Sequence, residues 1–427
     1  MSNESPDAMD FQDPGGSCSV ELFVVAGPHK GRTFSFNRHD SFVVGRSRYA
    51  HFRLSAEDPY FSRIHFLLEV NPPCCRLYDM GSTNGTHVNR ERVESIDLDD
   101  GDIIQAGHTS IRVSLKGNWR QAVAQPGVAT MTVGQTAAPS PTIAFDAPGF
   151  RLVREIGRGA MGMVYLAIRL SDNREVAIKV IRPMVPGSPE DVQRFLREVS
   201  ILRRLEHPHI VPFHKAGQAG ELLFFVMDYV DGHDVETVVR QAGPLPIDRA
   251  VYLVCQILDA LDYAHGKGFV HRDVKPANLL VRETRSGGHC MLADFGLARA
   301  YQNSPMSGLT IAGDIGGTLP YTPPEQILNF RDAKPAADQY GAAATLYRLI
   351  AADFIFDFGS MAGHQQIRQI VYEEPVPIEQ RRPEVPKQLA EAIHRALAKE
   401  PAARFPDAAA FRQAIAPFAV PRPKEEP

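Results

Sequence analysis

The N-terminal part of the chain shows short apolar runs that alternate with polar positions and are separated by turn residues. Examples are VELFVVAG, RIHFLLEV and SIRVSL. A period of two is typical of strands with one buried face, and strands at this spacing favour a β-sandwich or barrel. The dipeptide Asn84-Gly85 predicts a type I′ hairpin turn, because both central positions of that turn require positive φ.

After residue 150 the pattern changes. The segments FRLVREIG, MVYLAIR, EVAIKVI and LLFFVMDYV predict strands, and the rest of the chain follows a helical period. The segment DVQRFLREVSILRRL, for example, places Val192, Phe195, Val199 and Leu202 on one helical face. A β-rich lobe followed by an α-rich lobe predicts an α+β fold.

A segment rich in Ala, Thr, Pro, Gly and Gln separates the two patterns and contains almost no charge. Such a composition buries too little apolar area to offset its ordering entropy, so we expect a disordered linker. The predicted organisation is an all-β sandwich at 18–116, a linker at 117–149, a bilobal α+β domain at 150–416 and a tail at 417–427.

Composition excludes several classes of protein. The 427 residues include 46 Lys and Arg against 50 Asp and Glu, which gives a net charge of −4 and argues against nucleic acid as a partner. The sequence contains no run of 18 apolar residues, so it predicts no membrane span. The acidic N-terminus does not resemble a signal peptide. The five scattered cysteines suggest neither disulfides nor zinc. We therefore expect a cytoplasmic protein.

The first candidate chemistry is a glycine-rich turn. Gly157, Gly159 and Gly162 form G-x-G-x-x-G directly after a predicted strand. A dinucleotide site requires a helix next and an acid about 20 residues later. Here a strand follows, and it leads to another strand that carries Lys179 in VAIK. A glycine loop between strands with a lysine nearby favours the binding of a nucleoside triphosphate.

Two further motifs follow in order, His271-Arg272-Asp273-Val274-Lys275-Pro276-Ala277-Asn278 and Asp294-Phe295-Gly296. With the glycine loop, VAIK and the later PPE, they make residues 150–416 resemble the eukaryotic-like (Hanks-type) protein kinases. The resemblance implies a bilobal kinase fold.

The resemblance also implies roles for individual residues. Asp273 would act on the substrate hydroxyl, and Lys275 would hold the γ-phosphate. Asn278 and Asp294 would bind Mg²⁺, with Mn²⁺ as an alternative ion, because both offer oxygen ligands. Glu198 would pair with Lys179 and hold it near the phosphates. The residues implied in binding ATP are Ile156, Gly157, Gly159, Gly162, Val164, Ala177, Lys179, Met227, Asp228 and Val230.

Lys275 and Thr318 match the sequence pattern of the Ser/Thr protein kinases. The resemblance therefore implies that the acceptors in protein substrates are Ser or Thr. Ser304, Ser307 and Thr310 are candidate regulatory phosphosites, because a phosphate there would offer Arg272 a partner.

Two details depart from the family pattern or extend it. Ala343 replaces a helix glycine that is usual in the family, and we expect Arg404 to pair with Glu325. Neither touches the groups implied in catalysis.

The N-terminal sandwich resembles forkhead-associated (FHA) domains, which bind phosphothreonine peptides through loops at one end. The resemblance rests on Gly45-Arg46, on Ser62-Arg63-Ile64-His65 and on the run from Gly81 to Asn89. It implies a phosphopeptide site made of Arg46, Ser62, Arg63, Thr83 and Asn84, with His65 bracing the loops. The alternative for Asn84-Gly85, in the last of these runs, is an ordinary turn.

The sequence thus predicts a Ser/Thr protein kinase with an N-terminal phosphothreonine-binding domain. Its expected partners are protein substrates and phosphothreonine proteins, including this chain itself in cis or in trans. The alternative is a phosphorylation-dependent adaptor whose kinase domain only binds ATP. Intact Lys179, Asp273 and Asp294 weigh against that alternative.

Overall fold

The computed structural model describes residues 18–54, 58–116, 145, 147–159, 162–183, 189–284, 287–295, 319–329 and 333–419. The predicted phosphosites Ser304, Ser307 and Thr310, and almost all of the predicted linker, lie outside these residues.

The N-terminal domain is a β-sandwich, as its alternating pattern predicts. Its strands are β1 (Ser19–Ala26), β2 (Thr33–Phe36), β3 (Asp40–Gly45), β4 (Phe52–Arg53), β5 (Phe66–Asn71), β6 (Cys74–Asp79), β7 (Thr86–Val88), β8 (Glu91–Val93), β9 (Ser95–Asp97), β10 (Ile103–Ala106) and β11 (Thr109–Lys116). One sheet has the order β2-β1-β11-β10-β7-β8 and the other β4-β3-β5-β6-β9. Alternate residues such as Leu22, Val44 and Phe66 fill the space between the sheets.

The type I′ turn predicted at Asn84-Gly85 is not there. Of that pair Gly85 alone has positive φ, whereas Asn89 and Arg90 have φ of 51° and 75° and join β7 to β8. Asn89 suits the turn because its side chain makes two hydrogen bonds. Its Nδ2 donates to Asp102 Oδ1 at 2.7 Å, and its Oδ1 accepts from the Ile103 backbone amide.

The C-terminal domain begins with a twisted antiparallel sheet in the order β12-β13-β14-β16-β15. Its strands are β12 (Phe150–Gly159), β13 (Gly162–Arg169), β14 (Glu175–Ile181), β15 (Phe213–Ala219) and β16 (Leu222–Asp228). Helix α1 (Pro189–Ser200) packs on one face, where the rings of Phe195 and Phe225 meet edge to face at 5.8 Å. This arrangement is the predicted β-rich lobe.

The second lobe is mostly helical and is built around a long buried helix. Its elements are β17 (His233–Asp234), α2 (Val235–Ala242), α3 (Ile247–Gly266), β18 (Leu279–Arg282), β19 (His289–Leu292), α4 (Pro324–Leu328), α5 (Pro335–Ala351), α6 (Gly363–Tyr372), α7 (Ile378–Arg381), α8 (Lys387–Ala396) and α9 (Ala408–Ile415). Helix α3 contacts both α5 and α9. It is apolar on most of its surface, since most of that surface is buried. Among the described residues no helix is both long enough and apolar enough to cross a bilayer. The predicted α+β architecture of this domain is confirmed.

The two domains share a buried interface. All six residues of β5 are buried, which one sandwich core cannot explain because alternate residues point to opposite faces. Phe66 and Leu68 belong to the sandwich core, whereas Leu67 joins the core of the C-terminal domain together with Val43 and Tyr78. Helix α4 contacts β3, and Tyr372 of α6 donates from its hydroxyl to the Ile64 carbonyl at 3.2 Å. The outer face of this sheet is thus covered by the helical lobe.

We expect Leu67→Asp to separate the domains, because a carboxylate on this face loses its hydration in the docked arrangement. Small-angle X-ray scattering of the full chain should show a larger radius of gyration. Phe23→Asp is the matched control, because Phe23 is half-buried on the outward face of the other sheet. An unchanged radius of gyration for Leu67→Asp would show that this contact does not hold the domains together.

Candidate active site and phosphopeptide site

A cleft of about 790 Å³ lies between the two lobes of the C-terminal domain. A volume of this size suits a ligand as large as a nucleotide. Its wall includes eight of the residues expected to bind ATP, namely Ile156, Gly157, Val164, Ala177, Lys179, Met227, Asp228 and Val230. The sheet register explains the grouping, since Val164 pairs with Lys179 and Ala177 pairs with Met227.

The two remaining glycines lie at the tip of the β12-β13 hairpin, where Gly159 pairs with Gly162. Gly162 has φ of +142°, and a Cβ there would lie 1.9 Å from the Val180 carbonyl oxygen. No side chain fits at this position. The glycine therefore permits the hairpin to lie against β14 directly beside Lys179.

Lys179 and Asp294 form an ion pair in the cleft, with Nζ 2.6 Å from Oδ2. Burial by itself would raise the pKa of Asp294, but the Lys179 ammonium, with a smaller contribution from Lys275, holds that pKa below its usual value. Asp294 is therefore ionised at neutral pH, although it lies inside the protein.

Glu198 does not make the ion pair with Lys179 that the resemblance implies. The side chain of Glu198 is exposed, because α1 turns Val192, Phe195 and Val199 toward the core instead. In this conformation the partner of Lys179 is Asp294. Motif spacing places Glu198 on the correct helix, but it does not determine how that helix is rotated.

The loop before β18 brings Asp273, Lys275 and Asn278 together. The Lys275 ammonium lies 2.9 Å from Asp273 Oδ2. The Asn278 amide donates to the Asp273 carbonyl at 2.7 Å and to Oδ2 at 3.1 Å. Asp273 Oδ1 is buried and has no hydrogen-bond partner among the described residues. One carboxylate oxygen is thus fixed in place while the other is left as a free acceptor.

Asp338 supports this loop from below. Its Oδ2 accepts from the His271 amide at 2.8 Å and is 2.7 Å from His265 Nε2, while its Oδ1 accepts from the Arg272 amide at 2.7 Å. These contacts hold Arg272 at φ of +69°, a conformation that non-glycine residues rarely adopt. Sequence reasoning missed His265 as a partner of Asp338, because nothing near His265 in sequence marks it as one.

A glycine lies where the helical lobe meets the catalytic loop. A Cβ on Gly341 would lie 2.8 Å from the Val274 carbonyl oxygen. Ala343, the residue expected to replace a glycine usual in the family, lies two residues later and is fully buried. The close approach to the catalytic loop is therefore made at Gly341, and the interpretation of Ala343 stays a prediction.

The expected pair between Glu325 and Arg404 is present and bidentate, with distances of 2.6 and 2.8 Å. Arg404 is 2% exposed and also donates to the Ala336 and Ala398 carbonyls. A buried guanidinium with this many acceptors fixes α4 to the rest of the helical lobe. Gln326 of the same helix donates to the Arg272 carbonyl at 2.9 Å, so α4 also contacts the catalytic loop.

In the N-terminal domain, the residues expected to bind a phosphopeptide gather at one end of the sandwich. The Arg46 amide donates to the Ser62 carbonyl at 3.1 Å, and the Thr83 amide donates to Ser62 Oγ at 3.1 Å. Asn84 donates to the Tyr60 carbonyl at 2.8 Å. The Arg46 and Arg63 side chains are exposed.

Two residues behind this surface fix its shape. His65 accepts from the Ser62 amide at Nδ1 and lies 3.3 Å from the Gly85 carbonyl at Nε2, so the neutral ring bridges two loops as expected. Burial lowers the pKa of His65, which favours this neutral form. A Cβ on Gly45 would lie 2.3 Å from the Arg63 carbonyl oxygen, so only glycine permits this approach of the strands.

Comparison with known proteins shows a family for each domain. Residues 150–414 match the sequence model of the protein kinase domain, and residues 42–107 match that of the FHA domain. The chain belongs to the protein kinase family, and an FHA domain precedes its kinase domain. The predicted families and folds of the two domains are confirmed.

Curated relatives are bacterial Ser/Thr kinases. PknJ of Mycobacterium tuberculosis is 35% identical over 269 residues, which cover 63% of this chain and 45% of PknJ. PkaA of Streptomyces coelicolor is 39% identical over 264 residues, which cover 59% of this chain and 47% of PkaA. The chain thus spans about half the length of the curated relatives that it matches.

Solved structures show the same fold. The kinase domain of Mycobacterium tuberculosis PknI matches with a TM-score of 0.51 at 31% identity and covers 66% of this chain and all of that domain. Rad53 in complex with AMP-PNP matches with a TM-score of 0.52 and covers 94% of this chain and all of the solved chain. Its 22% identity supports a likeness of fold alone.

We expect Asp338→Ala to lower kcat for phosphoryl transfer by about 10²-fold, because a displacement of about 1 Å in the catalytic loop has an effect of that size. ATP affinity should stay unchanged, since Asp338 does not line the cleft. Steady-state kinetics and nucleotide titration separate the two quantities. A loss of ATP affinity equal to the loss of kcat would contradict this role.

We expect Gly45→Ala to destabilise the N-terminal domain by about 1 to 3 kcal/mol, the usual effect of forcing an extra methyl group into packed structure. Differential scanning calorimetry should show a lower unfolding temperature for that domain. Gly266→Ala is the control, because a Cβ there meets no atom within 4 Å. Equal stability of the two variants would show that the strand approach tolerates a methyl group.

Proposed function

We propose that this chain is an ATP-dependent Ser/Thr protein kinase whose FHA domain binds phosphothreonine peptides. The proposal is carried by one unpartnered carboxylate oxygen on Asp273 together with two placed cations, Lys275 paired with Asp273 and Lys179 paired with Asp294 in the cleft. Phosphoryl transfer needs alignment and charge neutralisation more than covalent chemistry by the protein, and these groups supply both.

Each group has a separate task in this mechanism. Asp273 Oδ1 accepts the hydrogen of the substrate hydroxyl and orients its oxygen toward the γ-phosphate. Lys275, held against the same carboxylate at 2.9 Å, neutralises charge that develops on the transferred group. Lys179 binds the α- and β-phosphates, and its present pairing with Asp294 is exchanged for them when ATP enters.

The adenine site is less polar. Ala177, Val164 and Met227 form its walls, and the backbone from Met227 to Val230 supplies the hydrogen bonds to the base. Gly157, Gly159 and Gly162 leave room above the phosphates. Ile156 closes the cleft on the same side.

Members of the protein kinase family use ATP with a divalent metal ion. The residues present fit Mg²⁺, with Mn²⁺ as an alternative, since the ionised carboxylate of Asp294 and the amide oxygen of Asn278 are hard oxygen donors. The Asn278 amide nitrogen is already committed to Asp273, which turns its oxygen away from that residue. A metal ion held there supplies charge neutralisation for the phosphates.

The FHA domain gives the kinase a phosphorylation-dependent partner. Arg46 and Ser62 bind the phosphate, Asn84 holds the peptide backbone, and Thr83 and Arg63 make further contacts. Protein substrates, other phosphothreonine proteins and this chain itself, in cis or in trans, are the proposed ligands. Autophosphorylation at Ser304, Ser307 or Thr310, or at linker threonines, would regulate the kinase or create such a ligand.

We assign the domains as FHA at 18–116, a linker at 117–149, kinase at 150–416 and a tail at 417–427. We also propose a cytoplasmic location, because ATP is available there and all five cysteines are free thiols. The alternative of an adaptor that binds ATP without catalysis has no support in the comparisons, whose bacterial relatives are named as Ser/Thr kinases.

The direct test is transfer of labelled phosphate from ATP to the chain itself and to a generic Ser/Thr protein substrate. We expect Asp273→Asn to abolish transfer while ATP still binds, because the substrate hydroxyl loses its acceptor. Asp99→Asn is the matched control, since Asp99 is exposed in the FHA domain. Undiminished transfer by Asp273→Asn, or none by the wild type with either metal ion, would reject the proposed activity.

The FHA site has its own test. We expect Arg46→Ala to weaken binding of a phosphothreonine peptide by about 10- to 100-fold, the range for a lost hydrogen bond to a charged group. Fluorescence anisotropy with the full chain measures this. Arg38→Ala is the control, because Arg38 is exposed before β3 and Arg46 follows the other end of that strand. Equal affinities for the two variants would reject the site.

A further inference from the structure

Helix α6 of the kinase domain lies directly against the loops that form the FHA phosphopeptide site. Its residues His364, Arg368 and Tyr372 are spaced by four and therefore share one helical face. His364 is 3.0 Å from Glu94, and Tyr372 donates to the Ile64 carbonyl. Both ends of this face are thus anchored to the FHA domain, and Arg368 lies between them.

Arg368 contacts the loop that carries Thr83 and Asn84. A Cβ built on Gly81 would lie 2.4 Å from both Cζ and Nε of Arg368, so the guanidinium rests on the Gly81 backbone. Gly81 precedes Thr83 by two residues, a span of at most about 7 Å. Thr83 in turn donates its amide to Ser62 Oγ. A kinase-domain cation is thereby placed beside the surface expected to hold the phosphate.

The cation is exposed, and so are Arg46 and Arg63 of the FHA domain. Among the described residues no carboxylate lies within ion-pair distance of Arg368, Arg46 or Arg63. An arginine cluster without acids is typical of a surface that binds an external anion.

Two further observations support the cluster. The charges of Arg63 and Arg368 both act on the Tyr372 hydroxyl and lower its pKa, although burial dominates and raises that pKa to about 12. Tyr372 donates to the carbonyl of Ile64, which follows Arg63, and Arg368 lies one helical turn before Tyr372, so both cations lie near that hydroxyl. The carboxylate of Asp79, two residues before Gly81, already accepts from the Gly81 and Ser82 amides and from the Ser82 and Thr86 hydroxyls, so its oxygens are occupied.

We propose that Arg368 is part of the phosphopeptide site, which is therefore built from both domains. The ligand is a phosphothreonine segment that carries a second anionic residue, acidic or phosphorylated, close to the phosphothreonine. Arg46 and Ser62 hold the phosphothreonine, and Arg368 with Arg63 holds the second anion. This inference rests on the proposed phosphothreonine binding by the FHA domain.

A shared site couples ligand binding to domain docking. A ligand that contacts Arg46 and Arg368 together binds the docked arrangement more tightly than a separated one, so binding shifts the population toward docking. The FHA domain would then distinguish ligands with one anionic group from those with two only when the kinase domain is in place.

The test uses the full chain and a set of phosphothreonine peptides in which a single Asp, or Asn as its neutral counterpart, occupies each position near the phosphothreonine. We expect at least one Asp peptide to bind more tightly than its Asn counterpart. Arg368→Ala should remove that preference, an effect of about tenfold. Arg368→Lys should retain part of it, because the charge remains. Lys387→Ala is the control, since Lys387 is exposed on α8.

The outcomes distinguish this inference from the function on which it rests. If Arg368→Ala weakens the binding of Asp and Asn peptides equally, or changes the binding of neither, Arg368 has at most a structural role and the inference is overturned. If Arg46→Ala leaves binding of every peptide unchanged, the phosphothreonine site itself is wrong. If Arg46→Ala abolishes binding while the preference for Asp persists in Arg368→Ala, only the composite site fails.

Discussion

The carboxylate of Asp338 is the contact on which the arrangement of the active site depends. It is 1% exposed and is held by two backbone amides and a histidine ring. The catalytic loop adopts a strained conformation at Arg272, and such a conformation persists only where its surroundings determine it. The buried carboxylate of Asp338 beneath the loop fixes this conformation. The positions of Asp273, Lys275 and Asn278 follow from it.

Helix α4 extends this support to the FHA domain. It is tied to the helical lobe through Glu325 and Arg404, to the catalytic loop through Gln326 and to the FHA sheet through β3. The FHA domain therefore packs on the element that also contacts the loop carrying Asp273. Docking of the FHA domain and support of this loop therefore depend on the same helix.

Charge is used sparingly in this chain. The net charge of −4 is small, and a few cations lie at each of the two places where phosphate is expected. At the cleft Lys179 and Lys275 each have a carboxylate partner, which keeps them in position before a ligand arrives. At the FHA loops the arginines are exposed instead, and there hydrogen bonds between backbone and Ser62 supply the rigidity.

The sequence by itself determined the two folds and marked the candidate residues of both sites, because period-two patterns, helical patterns and motifs act over a few positions. Apart from the pair of Glu325 and Arg404, it did not determine contacts between distant segments. Arg272 meets Asp338 from 66 residues away, and Ile64 meets Tyr372 from 308 residues away. Only the tertiary structure decided that Lys179 pairs with Asp294 and that Arg368 joins the FHA loops, since both depend on how whole elements pack.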